Sequence, residues 1–167
     1  MKALLHSALD LCLLRSTPQD LPASNYLLWL LILLNMLVGT AMVLDAQLGL
    51  FRAVLENLFG LALMLGVLAI ALGSRRLLPR FNQTASAALL SGLLLSLLAL
   101  PLVIWRHRSE SLESELLLFV LFVWSITVLG HILRHAFEIS LNQGIGFALL
   151  YTLMAWSIMS HLFPVAT

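Results

Sequence analysis

Charge is what this chain has least of. Asp, Glu, Lys and Arg make up 10% of its 167 residues, against about a quarter in soluble domains, so too little charge is present to coat a surface facing water. The net charge of +1 supplies no basic patch and excludes nucleic acid as an expected partner. A single cysteine, Cys12, excludes an internal disulfide and any cysteine-based metal cluster. Leu9-Asp10-Leu11 precedes it where a lipidated cysteine would want small residues. The phosphate-cradling glycine loop, the H-E-x-x-H pair and the nucleophile elbow are all missing. No internal repeat is visible, so symmetry gives no support to an inverted-repeat transporter. Residues 1–15 make a poor signal peptide, because His6 and Asp10 interrupt the apolar run and no small-residue cleavage site follows. The N-terminus is therefore expected to be retained.

What is present is apolar length. Hydrophobic residues form 61% of the chain, gathered into the runs Tyr26–Leu44, Leu55–Gly73, Ala85–Trp105, Leu116–Leu133 and Ile145–Phe163. A hydrocarbon core about 30 Å thick needs roughly 20 apolar residues of helix to cross it. Each run meets that length or comes close. A soluble core cannot be the explanation, since five such runs leave nothing polar to bury them. Barrel strands would alternate apolar and polar residues, and Leu93-Leu94-Leu95-Ser96-Leu97-Leu98 does not. The sequence thus predicts an all-α, polytopic transmembrane helix bundle of five spans, residues 25–167. Residues 1–24 form an N-terminal amphipathic helix and a Pro-containing connector.

In that first helix Lys2, His6 and Asp10 recur four apart, while Leu4, Leu5, Ala8, Leu9, Leu11 and Cys12 take the other side. Such a helix can lie in the headgroup plane or pack across the ends of the spans. Pro18 and Pro22 end it, and Ser24 or Asn25 is placed to cap the first span. Asp45 to Arg52 reads as a tight connection, Asn142-Gln143-Gly144 as the last turn, and Pro101 as a kink in the third span. Counting Lys and Arg sets the orientation. With the N-terminus in the cytoplasm, Lys2, Arg15, Arg75, Arg76, Arg80 and Arg134 lie inside. Arg52, Arg106 and Arg108 lie outside. The expected arrangement is N-terminus cytoplasmic, C-terminus periplasmic.

Four sets of residues could carry chemistry. Asn35 lies mid-span and reads first as a hydrogen-bonding contact between helices, second as a solute ligand. Arg52 and Glu56, four apart with Asn57 adjacent, can neutralise each other at the interface. They are also ionisable groups near a membrane, and so candidates for an ion path. His131, His135 and Glu138 share one stripe of the fourth span, with Arg134 beside them; they read first as headgroup and loop contacts, second as metal ligands or a proton-handling group. Gly60, Gly66, Ser91, Gly92, Ser96, Gly130, Gly144 and Gly146 are small residues that let spans approach closely. No cofactor is expected.

Leu13-Leu14-Arg15-Ser16-Thr17-Pro18, followed by five closely spaced spans and by Val123-Trp124-Ser125-Ile126-Thr127-Val128-Leu129-Gly130-His131-Ile132-Leu133-Arg134, resembles the bacterial branch of the Yip family. These five-span proteins were first known as interactors of Rab-type GTPases. The resemblance implies a small integral protein of the bacterial inner membrane, without known catalytic residues, acting through other membrane proteins or membrane lipids; the small residues in the spans add self-association as an expected partner mode. The short glycine- and tyrosine-containing signatures of the eukaryotic members are absent, so no GTPase partner and no functional residue is carried across. The alternative function is a small transporter or channel subunit using Asn35, the Arg52–Glu56 pair or the His131 cluster. A membrane-embedded enzyme with His131, His135 and Glu138 as metal ligands comes third.

Overall fold

The computed structural model describes residues 2–43, 49–109 and 111–164. The helices are α1 (Lys2–Cys12), α2 (Asn25–Val43), α3 (Gly49–Ser74), α4 (Phe81–Ser109), α5 (Leu112–Phe137) and α6 (Leu141–Leu162). Single 3-10 turns at Pro18–Asp20 and Leu78–Arg80 lead into α2 and α4. Helices α2 to α6 are each long and apolar enough to cross a membrane, and among the described residues there is no strand. The packing is inside-out relative to a soluble protein: Tyr26, Phe51 and Ile70 are 79%, 78% and 75% exposed. Water would penalise such a surface by about 25 cal/mol per Å² of apolar area, whereas lipid does not. The protein is an all-α, multi-pass membrane protein.

Capping explains where the helices begin. The Ser24 hydroxyl accepts from the Leu27 amide at 3.4 Å, Ser111 accepts from Ser114, and Ser140 forms a capping box with Gln143. Each supplies an oxygen to an amide that the first turn leaves unpaired. The helix bounds correct two expectations. Asn142, Gln143 and Gly144 lie within α6 rather than in a turn, and Arg52 lies within α3 rather than in a connection. Asp45 falls outside the described residues. Apolar runs mark the part of a helix that needs lipid; the helix itself continues through polar turns to its cap. Helix α4 also runs unbroken past Pro101.

Side-chain pairs identify the two ends of the bundle. At one end Asn82 Nδ2 donates to Asn25 Oδ1 at 2.5 Å, Arg80 pairs with Glu138 at 2.6 Å, and Arg75 lies over the Phe137 ring. At the other, the Arg52 guanidinium donates to the carbonyl of Pro164 at 2.7 Å. These are called the Asn25 end and the Arg52 end below.

Helix α4 is the centre. It packs against α2 on one side, α5 on the other, and α1 and α3 besides, and its residues Ala85, Ser86, Ala87 and Ser91 are buried. Small side chains there let four helices reach one backbone. Helix α1 turns Ala8, Leu11 and Cys12 inward, buried in this core, and leaves His6 and Asp10 outward as an i,i+4 pair at 3.5 Å. By this face the helix packs on α4 and α5.

Helices α5 and α6 form the tightest pair. A Cβ on Gly130 would come within 2.7 Å of Ile145 Cα, and one on Gly144 would collide with the Gly130 carbonyl oxygen. Helices α3 and α6, by contrast, meet at the Arg52 end, where Phe59 packs edge-on against Phe163 with centroids 6.2 Å apart.

Candidate functional site

Towards the Asn25 end the space between α3 and α6 is a cleft. It holds a cavity of about 390 Å³, walled by Met64, Leu68 and Ala71 of α3, Thr84 and Ala88 of α4, Leu129, Ile132, Leu133 and Phe137 of α5, and Phe147, Leu150, Tyr151 and Met154 of α6. Val67 of α3 lines it too, and Ser74 and Arg75 stand at its mouth, where α3 ends. The volume falls in the range of about 300–1,000 Å³ usual for small-molecule sites. Two lining hydroxyls are satisfied by their own chain, Thr84 by the Arg80 carbonyl at 2.9 Å and Ser74 by the Ala71 carbonyl at 2.9 Å. Among the described residues, the Arg75 guanidinium and the Tyr151 hydroxyl have no hydrogen-bond partner. Phe147 and Leu150 are 47% and 63% exposed, so the cleft opens sideways, where lipid would be, as well as at its mouth.

The sequence-derived candidates lie elsewhere, and the structure brings only some of them together. Asn35 and Asn57 meet at the junction of α2, α3 and α4. The Asn35 amide donates to the Leu31 carbonyl at 2.8 Å and to the Leu89 carbonyl of α4 at 3.0 Å. The Asn57 amide donates across to the Met36 carbonyl at 3.0 Å and the Thr40 hydroxyl at 3.3 Å. Gly39 makes room for it, since a Cβ there would lie 2.5 Å from Asn57 Oδ1. Both amides act as interhelical clasps, donating to helix carbonyls, and neither lines the cavity. Arg52 and Glu56 form the expected pair at 2.8 Å, at the far end of the bundle from the cavity mouth.

The His131 stripe comes apart. His131 is buried, and its Nε2 lies 3.0 Å from the Ser16 carbonyl. A carbonyl can only accept, so that nitrogen carries the proton and is not free for a metal. Its ring meets His135 edge-on with centroids 4.7 Å apart. Glu138 points away to Arg80. Among the described residues no three His, Cys, Asp or Glu side chains are placed to share a metal ion.

What His131 does instead is hold the N-terminal segment. Trp124 donates its indole N–H to the Cys12 carbonyl at 3.0 Å. Gln83 donates to the carbonyls of Gln19 and Leu21 at 3.3 and 3.0 Å. Residues 12–21 thus lie along α4 and α5 as a strap, bonded through backbone carbonyls that have no helix partner. Cys12 itself is buried, its Sγ 3.9 Å from the Ser91 carbonyl, and burial pushes the thiol up to about 11. A protonated, enclosed thiol is a poor nucleophile.

In the sequence Arg75 reads only as a loop charge, and nothing there singles out Tyr151. The signal for the cleft is slight: alanines at 71 and 88 on facing spans, which leave volume where leucine would fill it. No protein-family model matches this chain, and no match is found among curated proteins or among solved structures.

Proposed function

We propose that this chain is a non-enzymatic integral protein of the bacterial inner membrane, Yip-like in its five-span plan, that works by binding lipids or other membrane proteins. The observation that carries the reading is the chemistry of the α3–α6 cavity: almost wholly apolar, open to the lipid side, with a cation among its lining residues and no assembled acid, base, nucleophile or metal-ligand set beside it among the described residues. Such a surface favours binding over turnover of a substrate. The polar groups that a transporter or channel subunit would use do not favour the alternative. Asn35 and Asn57 join helices, Arg52–Glu56 sits at the opposite end, and His131 is bonded to the strap. Among the described residues these groups lie at three separate places in the bundle.

The Asn25 end carries Arg15, Arg75, Arg76, Arg80 and Arg134, and the Arg52 end carries Arg52, Arg106 and Arg108. The positive-inside rule assigns the Asn25 end to the cytoplasm, which puts the cavity mouth in the inner leaflet and the C-terminus in the periplasm. Two measurements test the proposal. Purification in a mild detergent followed by native mass spectrometry should retain lipid, a protein partner or a defined oligomer; a bare monomer would overturn it. A reporter fused after Thr167 that is active only in the cytoplasm would overturn the orientation.

A further inference from the structure

Resting on that reading of a binding protein, we propose that the α3–α6 cleft seats one acyl chain of an anionic phospholipid, with its phosphate on Arg75. Charge is the first argument. Arg52 and Arg80 each have a carboxylate within 4.0 Å, whereas Arg75 has none among the described residues. It stands at the cavity mouth with its guanidinium 5.7 Å from the Phe137 ring centroid. A guanidinium over an aromatic face can keep N–H groups free for a phosphate, which can take two of them.

Depth is the second argument. From Met64 to Ser74 the lining follows α3 for roughly 15 Å at 1.5 Å per residue, which is half of a hydrocarbon core of about 30 Å. One leaflet, and hence one acyl chain, has that depth. The walls offer such a chain Leu68, Ala71, Leu133 and Met154, with no polar group that the described residues leave unsatisfied except the half-buried Tyr151. The sideways opening at Phe147 and Leu150 lets the lipid's other chain stay in the bilayer. A closed pocket would fit a free fatty acid, and a cleft without Arg75 would fit a neutral isoprenoid. An open cleft with one cation at headgroup level fits a phospholipid.

The test uses the full chain in nanodiscs with phosphatidylglycerol or phosphatidylcholine probes carrying a photoreactive group in one acyl chain. Crosslinks are mapped by mass spectrometry. The expected result is labelling concentrated on Leu68, Ala71, Leu133 and Met154, about fivefold stronger for phosphatidylglycerol, the scale of one basic side chain at an anionic surface. Arg75→Gln should abolish that preference and leave cleft labelling in place. Ala71→Trp should fill the cleft and remove labelling by both probes. Should the tryptophan variant not fold, the exposed Arg75 substitution still decides the headgroup. Tyr151→Phe should change nothing; loss of labelling there would mean an occupant that accepts a hydrogen bond deep in the cleft, and would overturn the acyl chain. Labelling as strong on Leu33, Leu37 and Trp156 as in the cleft, or equal for the two probes, would overturn the proposal too, while a co-purifying partner would leave the binding reading standing. Chemical conversion of the probe would remove the non-enzymatic reading and leave the cleft's occupant established.

Discussion

The indole Nε1 of Trp124 donates to the main-chain carbonyl of Cys12 at 3.0 Å, across 112 residues of sequence. It is one of three side chains on α4 and α5, with Gln83 and His131, that hold residues 12–21 by their carbonyls. The stretches Leu13 to Pro18 and Val123 to Arg134 are therefore neighbours in space.

Trp124→Phe keeps most of the ring's apolar surface and removes the donor. A hydrogen bond of this kind contributes about 1 kcal/mol net, and an orphaned buried carbonyl costs about 1–3 kcal/mol. We expect a drop in unfolding free energy of about 1–2 kcal/mol in detergent. Faster hydrogen exchange should be confined to residues 2–16. Unchanged exchange there would show that Leu11 and Ala8 hold α1 without the bond.

Gly144→Ala should be among the costliest conservative changes in the chain. The added Cβ meets the Gly130 carbonyl oxygen and lies 3.2 Å from the Arg134 amide nitrogen, and backbone atoms cannot rotate aside as a side chain can. Separation of α5 from α6 would follow, with a loss of roughly 2–3 kcal/mol, the scale of overpacking a tight core. Gly146→Ala, two residues on, meets nothing within 4 Å, and should be neutral or slightly stabilising through helix propensity. Thermal unfolding of the two variants side by side gives the comparison, and equal midpoints would contradict the crossing geometry.

The spans were legible because lipid imposes the same demand on every residue it touches, and runs such as Leu55–Gly73 report that demand one residue at a time. The Arg52–Glu56 pair was legible for a similar reason, since i,i+4 spacing is local to one helix. Asn35 was legible as an interhelical contact, but its acceptor, the Leu89 carbonyl, was not, because a backbone oxygen has no sequence signature. The His131–His135–Glu138 stripe was legible as a set of loop contacts, but its partners were not. Spacing places three groups on one face and says nothing about Ser16 or Arg80, which draw His131 and Glu138 to different partners. The cleft was the least legible, being made of volume that four helices leave unfilled.

The α2–α3 junction predicts a coupled pair. Gly39→Ala would drive a methyl to within 2.5 Å of Asn57 Oδ1 and displace the amide from Met36 and Thr40. Asn57→Ala should cost about 0.6 kcal/mol and up to roughly 2, the measured worth of interhelical polar contacts in membranes. With Asn57 already truncated, Gly39→Ala has no side chain to strike and should cost far less than it does alone. A double-mutant cycle reads this as a coupling of about 1 kcal/mol or more. Additive effects would mean that Gly39 and Asn57 do not touch.

Arg76 offers a change in the stabilising direction. It ends α3 with φ of 59°, in a Schellman turn where Leu77 N–H bonds the Leu72 carbonyl at 2.8 Å and Arg76 N–H the Gly73 carbonyl at 3.0 Å. A side chain there crowds its own carbonyl at a cost of roughly 1–2 kcal/mol, which glycine escapes. Part of that gain is returned, because glycine has more freedom to lose when the chain folds. Arg76→Gly should therefore raise stability by about 0.5–1 kcal/mol, and Arg76→Val, branched at Cβ, should lower it by more than that. The side chain is exposed and lies outside the cleft lining, so lipid labelling of the cleft should not change in either variant. A less stable glycine variant would show that the turn's strain is not what limits α3 at this end.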